Sequence, residues 1–479
     1  MRRIFFIIVF TCLTISIFSQ EKSSETLTSD SSLVNASVSL CVADAENGNI
    51  LIDSNSGMSL TPASIMKLIT TAAALELLGP EYTFKTRIGY TGTFNKRWGR
   101  LKGNIIITGG GDPALGSKYF PGQYKDFIAT WTAELKKLGI KRIKGSVITD
   151  DSYYDYLPVP GKWLWEDPGN YYGAGAYGLS VFDNTYEIHF KTLADSSLPV
   201  MKDVIPGECR SELSSFLKAS GSTDEGYVFA APYSSKGWIA GTIPVNQDDF
   251  VLKASITDPP LLLAKMVNDN LKAKGIKVSG NPSTLRTEKN YKTANVIPIA
   301  EMSSPPLTEI IEVINHESVN LFAEHLIKEL GKKFKNDGST ASGAKVITEF
   351  LKNSGIDTNG MFIEDGSGLS PLNAINTREL VRLLVYMKLK GKYFSDYYAS
   401  LPDAGKEGTL KNSFKDPLFD SRLRAKSGSM TRVRSFAGYF TTKSGKKMVF
   451  SIIINNYSGP SKKIVTEIED NIRELISKN

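Results

Sequence analysis

Between Ser37 and Ser54, Ser-Val-Ser-Leu-Cys-Val-Ala-Asp and Asn-Ile-Leu-Ile-Asp-Ser flank Glu46-Asn-Gly-Asn49. Apolar positions on either side of a turn signal predict a two-stranded hairpin. The pattern then changes. Thr61-Pro-Ala-Ser-Ile-Met-Lys-Leu-Ile-Thr-Thr-Ala-Ala-Ala-Leu-Glu-Leu-Leu78 is apolar almost all round, and Gly79-Pro80 stops it. It predicts a helix, and a helix apolar on every side is a buried one. From about 85 to 300, short strand-like pieces such as Asn104-Ile-Ile-Ile-Thr108 alternate with turns, one amphipathic helix near Phe127–Leu138 and aromatic-rich loops. Helical periodicity returns over Leu307–Leu330, Gly343–Ser354 and Thr377–Lys390, the last with Leu380, Leu383, Leu384 and Met387 on one side. Ser435-Phe-Ala-Gly-Tyr-Phe-Thr and Met448-Val-Phe-Ser-Ile-Ile-Ile-Asn predict a second hairpin across Lys443-Ser-Gly-Lys446, and a final helix follows from about Lys462 to Ser477.

Strands near both chain ends and a closing helix predict one sheet built from the two termini, with helices over it. Residues 20–85 and 300–479 are therefore expected to form one domain. Residues 86–299 are expected to be an inserted region of one or two mixed domains, the smaller at roughly 190–270. At 479 residues the chain is too long for a single ordinary core.

The start of the chain is charged at Arg2 and Arg3, then apolar to Phe18, and turns polar from Gln20. This layout predicts a secretory signal over 1–19, with Cys12 part of its apolar run, and a polar leader over 21–32. No other stretch is long and apolar enough to span a membrane. Composition is that of a globular protein, with 41% hydrophobic and 22% charged residues. The formal charge of +7 is spread out, and no dense basic run with interleaved aromatics speaks for nucleic acid. Beyond the signal only Cys41 and Cys209 remain, which leaves one disulfide and two free thiols as alternatives.

Three short motifs carry chemistry. Ser64-Ile-Met-Lys67 puts a hydroxyl and an amine on one helix face. An amine held in an apolar site loses proton affinity and can take the proton of a neighbouring Ser, making it a nucleophile. Ser19/Lys22, Ser215/Lys218, Ser342/Lys345 and Ser444/Lys447 repeat the spacing, but only Ser64/Lys67 opens a long apolar helix. Ser318-Val-Asn320 offers a hydroxyl to relay a proton and an amide to hold a substrate; helix N-capping by Ser318 is the plainer alternative. Lys426-Ser427-Gly428-Ser429 precedes the second hairpin. A strand edge with a cation, two hydroxyls and a Gly can bind a terminal carboxylate, and one of its N–H groups can pair with that of Ser64 as an oxyanion hole. Ser279-Gly-Asn281 and Lys443-Ser-Gly445 mimic the second and third motifs from turn contexts.

The order Ser-x-x-Lys, Ser-x-Asn, Lys-[Ser/Thr]-Gly is that of penicillin-binding proteins and serine β-lactamases. The chain resembles the penicillin-binding protein 4 type of D-alanyl-D-alanine carboxypeptidase/endopeptidase, peptidase family S13. Thr108-Gly-Gly-Gly-Asp-Pro113, Trp163-Leu-Trp-Glu-Asp-Pro168, Tyr172-Gly-Ala174 and Asp183-Asn184 resemble that family's inserted domains; Asp365-Gly-Ser-Gly-Leu-Ser370, Gly408-Thr-Leu410 and Ala437-Gly-Tyr439 resemble its core. The gap of roughly 250 residues between Ser64 and Ser318 also fits the family. The resemblance implies an α/β (α+β) fold with a serine β-lactamase/transpeptidase-like core, an antiparallel sheet covered by helices, plus inserted mixed domains. It implies Ser64, Lys67, Ser318, Asn320 and Lys426 as catalytic residues, and Ser427, Gly428 and Ser429 as substrate-binding. It further implies peptidoglycan stem peptides as substrate, β-lactam antibiotics as ligands, no cofactor or metal, and a periplasmic location. One departure stands out: where the family has Lys-Thr-Gly-Thr, both Thr are Ser here.

Other chemistries fit less well. His189, His316 and His325 lack metal spacing, no Gly-x-Ser-x-Gly elbow supports a Ser-His-Asp triad, and the glycines at 109–111 lack the Gly-Lys-[Ser/Thr] of a phosphate loop. A β-lactamase of the same fold and a non-catalytic wall-binding module remain as rival functions.

Overall fold

The computed structural model describes residues 31–210, 212–288 and 295–478. The signal segment 1–19 and most of the polar leader lie outside them. The chain divides into two compact units. The first takes in the described residues up to Pro80, Ile311–Ser318 and the chain from Ile347 onward; the second takes in Glu81–Ile310 and Val319–Val346. Among the described residues no helix is long and apolar enough to cross a membrane.

The first unit is built on a five-stranded antiparallel sheet. Its strands run in the order Leu423–Met430, Val433–Thr441, Lys447–Asn455, Ser37–Asp44 and Ile50–Ser54. The sheet joins both chain ends, as the pattern predicts: Val38 lies opposite Ile454 and Leu40 opposite Ile452. Strict alternation sorts the side chains by face. Val38, Leu40, Phe436, Phe450 and Ile452 pack with Ile464, Ile468 and Ile472 of the closing helix Ser461–Lys478. The opposite face is covered by the helix Thr377–Lys390, whose Leu384 carbonyl accepts from the Tyr439 hydroxyl at 2.8 Å. Leu380, Leu383, Leu384 and Met387 are all buried. The helix Met66–Leu78 is buried from Met66 to Leu75, as its all-round apolar surface requires.

Two helices differ from their predicted extents. Thr61–Leu78 is not one continuous helix: a single tight turn over Ala63–Ile65 precedes it, and Ala63 adopts the left-handed backbone, φ 49°. Leu307–Leu330 is broken. One helix ends at Glu317 and the next starts at Asn320, because Ser318 is left-handed with φ 59° and Val319 is extended. A left-handed residue other than Gly costs on the order of 1–2 kcal/mol. The apolar spacing carries straight through both points, so periodicity alone shows neither interruption.

The second unit contains a five-stranded sheet in the order Ser283–Thr284, Val147–Asp150, Ile105–Thr108, Lys85–Tyr90 and Ile297–Ser303, together with a smaller four-stranded one. Two three-stranded sheets are formed by the chain between Asp150 and Ser283. Thr185–Lys191, with Val200–Ile205 and Phe250–Ser255, shares a core with Glu212–Ala219, Lys236–Ile243 and Glu225–Ala230; Ile188, Phe190, Val228, Ile239 and Leu252 fill it.

On the helix Asn320–Lys335, His325 is fully buried. Its Nδ1 lies 2.8 Å from the Gly111 carbonyl and its Nε2 2.8 Å from the Ser180 hydroxyl. A neutral ring with its proton on Nδ1 satisfies both partners. Burial holds its pKa down to about 3, against 6.5 for an ordinary imidazole. Below pH 6.5 the unfolded chain takes up a proton that the folded ring refuses, so stability falls as pH drops from 6.5 towards 3. At about 1.4 kcal/mol per unit this amounts to at most roughly 5 kcal/mol. Subtracting the pH profile of the urea midpoint of His325→Gln from that of the wild type is expected to isolate this loss. Parallel profiles would contradict it.

Candidate active site

The turn over Ala63–Ile65 places Ser64 half-exposed at the head of a buried helix. One helical turn on, Lys67 is fully buried. Its Nζ donates to Ser64 Oγ at 3.0 Å and to the Ser367 carbonyl at 2.8 Å. The second partner comes from a tight loop, Asp365–Ser370. The buried carboxylate of Asp365 accepts from the N–H of Gly368 at 2.7 Å, the N–H of Ser370 at 2.6 Å and Asn373 Nδ2 at 2.8 Å. This fixes the loop with the Ser367 carbonyl turned to the amine. Gly368 is required on two counts: its φ is +85°, and a Cβ there would sit 1.9 Å from the Ala63 carbonyl.

Ser318 ends its helix in the strained conformation described above, and that strain turns its hydroxyl to account. Lys426 Nζ donates to Ser318 Oγ at 2.9 Å and to the Ser427 carbonyl at 2.8 Å. Ser318 is not the N-cap of the following helix; Val319 takes that position, without a side-chain bond. Lys426 is also fully buried. Burial, followed by the charge of Lys67, holds its pKa well below that of an ordinary lysine. Its proton is therefore given up far more readily than a surface lysine's.

The strand Leu423–Met430 is an edge strand of the sheet, bridged near its start by Asp403. It lies against the Ala63–Ile65 turn at Gly428, where a Cβ would come within 2.7 Å of the Pro62 carbonyl and 3.0 Å of the Ser64 nitrogen. The Ser435 hydroxyl ties the neighbouring strand to the same turn by donating to the Pro62 carbonyl at 2.6 Å. Ser429 is exposed, and Ser427 Oγ donates to Thr409 Oγ1 at 2.8 Å.

The first unit thus brings together Ser64, Lys67, Ser318, Lys426, Ser427, Gly428 and Ser429. Asn320 belongs to the second unit, where it starts its helix and Nδ2 donates to the Tyr172 carbonyl at 2.9 Å. Sequence reasoning did not single out Ser367, Gly368 or Thr409 as site residues. Their only signals are the turn-rich Asp365-Gly-Ser-Gly and Gly408-Thr-Leu segments. The look-alike motifs are occupied otherwise: Ser342 Oγ donates to Asp337 at 2.5 Å and Ser279 Oγ to the Ile143 carbonyl at 3.2 Å. Cys41 and Cys209 are free, and burial pushes both thiols up to about 12.

A family model described as D-Ala-D-Ala carboxypeptidase 3 (S13) matches residues 20–478. A D-alanyl-D-alanine carboxypeptidase from Actinomadura sp. (strain R39) is 28% identical over 444 residues, which is 90% of this chain and 80% of the relative. Among solved structures, penicillin binding protein 4 from Haemophilus influenzae superposes with a TM-score of 0.82 at 21% identity, covering 95% of this chain and 99% of that one. A predatory peptidoglycan endopeptidase from Bdellovibrio bacteriovorus superposes with a TM-score of 0.52 at 19% identity, covering 93% and 94%. At these identities the two structures establish the fold: the antiparallel sheet with covering helices expected from the sequence.

Proposed function

The chain belongs to the D-Ala-D-Ala carboxypeptidase 3 (S13) family and is an enzyme of that activity, and on that premise we propose that Ser64 is its acylated nucleophile, with Lys67 as general base. The carrying observation is a fully buried amine 3.0 Å from the hydroxyl it would deprotonate. The substrate is a stem peptide ending in D-Ala–D-Ala. Its terminal carboxylate is held by Lys426, Ser427 and Ser429 at the sheet edge. Ser64 Oγ attacks the penultimate carbonyl while its proton passes to Lys67. The developing oxyanion is held by the N–H groups of Ser64 and Ser429. The C–N bond breaks as Ser318 hands its proton to the leaving amine, and Lys426, 2.9 Å away, replaces it. Water then hydrolyses the ester. Asn320 is assigned to the substrate amide on its sequence motif alone.

Two extensions follow from the same site. A β-lactam presents a strained amide and a carboxylate in the same relation as D-Ala–D-Ala, so it acylates Ser64. The peptidoglycan endopeptidase among the structural neighbours supports cleavage of cross-bridges as a further activity. The apolar segment before Gln20 supports export to the periplasm. The test is incubation of the purified protein with a pentapeptide ending in D-Ala–D-Ala. Stoichiometric release of D-Ala is expected, and its absence overturns the reading. Rapid turnover of a chromogenic cephalosporin would instead favour a β-lactamase.

A further inference from the structure

In the second unit, one sheet face carries rings where a solvated face would carry polar side chains. On the strand Glu225–Ala230, Val228 turns into the core, while Tyr227 and Phe229 point the other way. The register sets Phe229 opposite Trp238; their rings lie 5.3 Å apart and 11° from parallel. Trp165 joins them from a preceding loop, 6.3 Å from Trp238, and is 59% exposed. Phe216, on the third strand of the sheet, is 66% exposed.

The rings stand on a fixed frame. The loop carrying Trp165 is seated on the strand at Gly169, where a Cβ would meet the Val228 carbonyl at 1.8 Å. Asn170 locks it: Oδ1 accepts from the Val228 N–H at 3.1 Å and Nδ2 donates to the Glu166 carbonyl at 2.6 Å. The same loop presents Tyr171 and Tyr172. With Tyr227, Asn170, Asp224 and Lys253 they line a cleft of about 400 Å³. Tyr227, which lines the cleft, and Phe229, which stacks on Trp238, stand two apart on the same strand face, so cleft and ring face adjoin.

Exposed aromatic area of this extent marks a binding surface. Acidic and basic groups are mixed on it, so it offers no field of one sign to a polyanion. Flat rings beside amide, hydroxyl and carboxylate groups complement a sugar. The C–H face of a pyranose is apolar and slightly positive, which suits the negative face of an aromatic ring, while its hydroxyls need hydrogen-bonding neighbours. We propose that this cleft and ring face form a saccharide site, which takes the glycan strand carrying the stem peptides. The identity of that glycan rests on the stem-peptide reading above.

The probe is a β-1,4-linked N-acetylglucosamine hexamer, titrated into the full protein with isothermal titration calorimetry as readout. Saturable binding is expected. Trp238→Ala should weaken it about tenfold, the equivalent of one stacked ring, and Trp238→Phe should restore most of it. Release of D-Ala from a free pentapeptide should be the same in all three proteins, which shows the variants folded, while Trp238→Ala should raise KM on glycan-linked substrate. No binding by the wild type at millimolar sugar, or equal binding by Trp238→Ala, overturns the proposal. A wild type inactive on the free pentapeptide would sink the stem-peptide reading instead, and the sugar titration would still report on this surface.

Discussion

Ser64→Ala is expected to abolish covalent labelling by fluorescent penicillin and to lower D-Ala release by a factor on the order of 10⁴ or more, the scale seen when a nucleophile that acts as a unit with its base is removed. The loss should be confined to chemistry. Ser64 is half-exposed, and the turn that holds it is fixed by contacts of Pro62 and Ala63 with Ser435 and Gly368 rather than by its own side chain. Circular dichroism and the thermal midpoint should therefore match the wild type. Carboxylate binding at Lys426 and Ser427 should also survive, so penicillin is expected to remain a reversible ligand of the variant. Labelling that persists in Ser64→Ala would move the nucleophile elsewhere.

The second large effect concerns Lys67. Met is close to it in length and fits a buried apolar site, so Lys67→Met should slow acylation by about 10³-fold or more through loss of the general base. Stability is pulled both ways. Removing a buried amine relieves a desolvation cost, but the Ser367 carbonyl loses its donor, a penalty of roughly 1–3 kcal/mol. The two should nearly cancel, leaving a folded but slow enzyme. Lys67→Arg provides the discriminating control. A guanidinium keeps the positive charge and can donate to the same carbonyl, but it does not give up its proton in a protein. If Lys67 acts as a base, Arg fails to rescue; if it acts only as a fixed positive charge, Arg restores much of the acylation rate. A stopped-flow measurement of penicillin acylation separates the two.

Much of this enzyme is legible in its sequence. The stretch Met66–Leu75 is apolar on all sides, so burial of Lys67 followed from solvent exclusion alone, and the look-alike Ser-x-x-Lys pairs failed for want of such a helix. The two hairpins and the amphipathic closing helix likewise declared themselves, because turn chemistry and side-chain period act over a few neighbouring residues. What those short-range rules do not encode is how distant segments meet. The Ser367 carbonyl that holds Lys67 lies 300 positions away in the chain, and Thr409 reaches Ser427 from a turn with no periodic signal. The left-handed Ala63 and Ser318 are the clearest case. Neither residue type prefers that conformation, and the local pattern runs helical through both. Only packing against the sheet edge, the Asp365–Ser370 loop and Lys426 compensates a backbone that the isolated segment would avoid. Sequence thus determined which groups are buried and what chemistry they can do; tertiary contacts decided where each hydroxyl points, since that depends on atoms brought together only by folding.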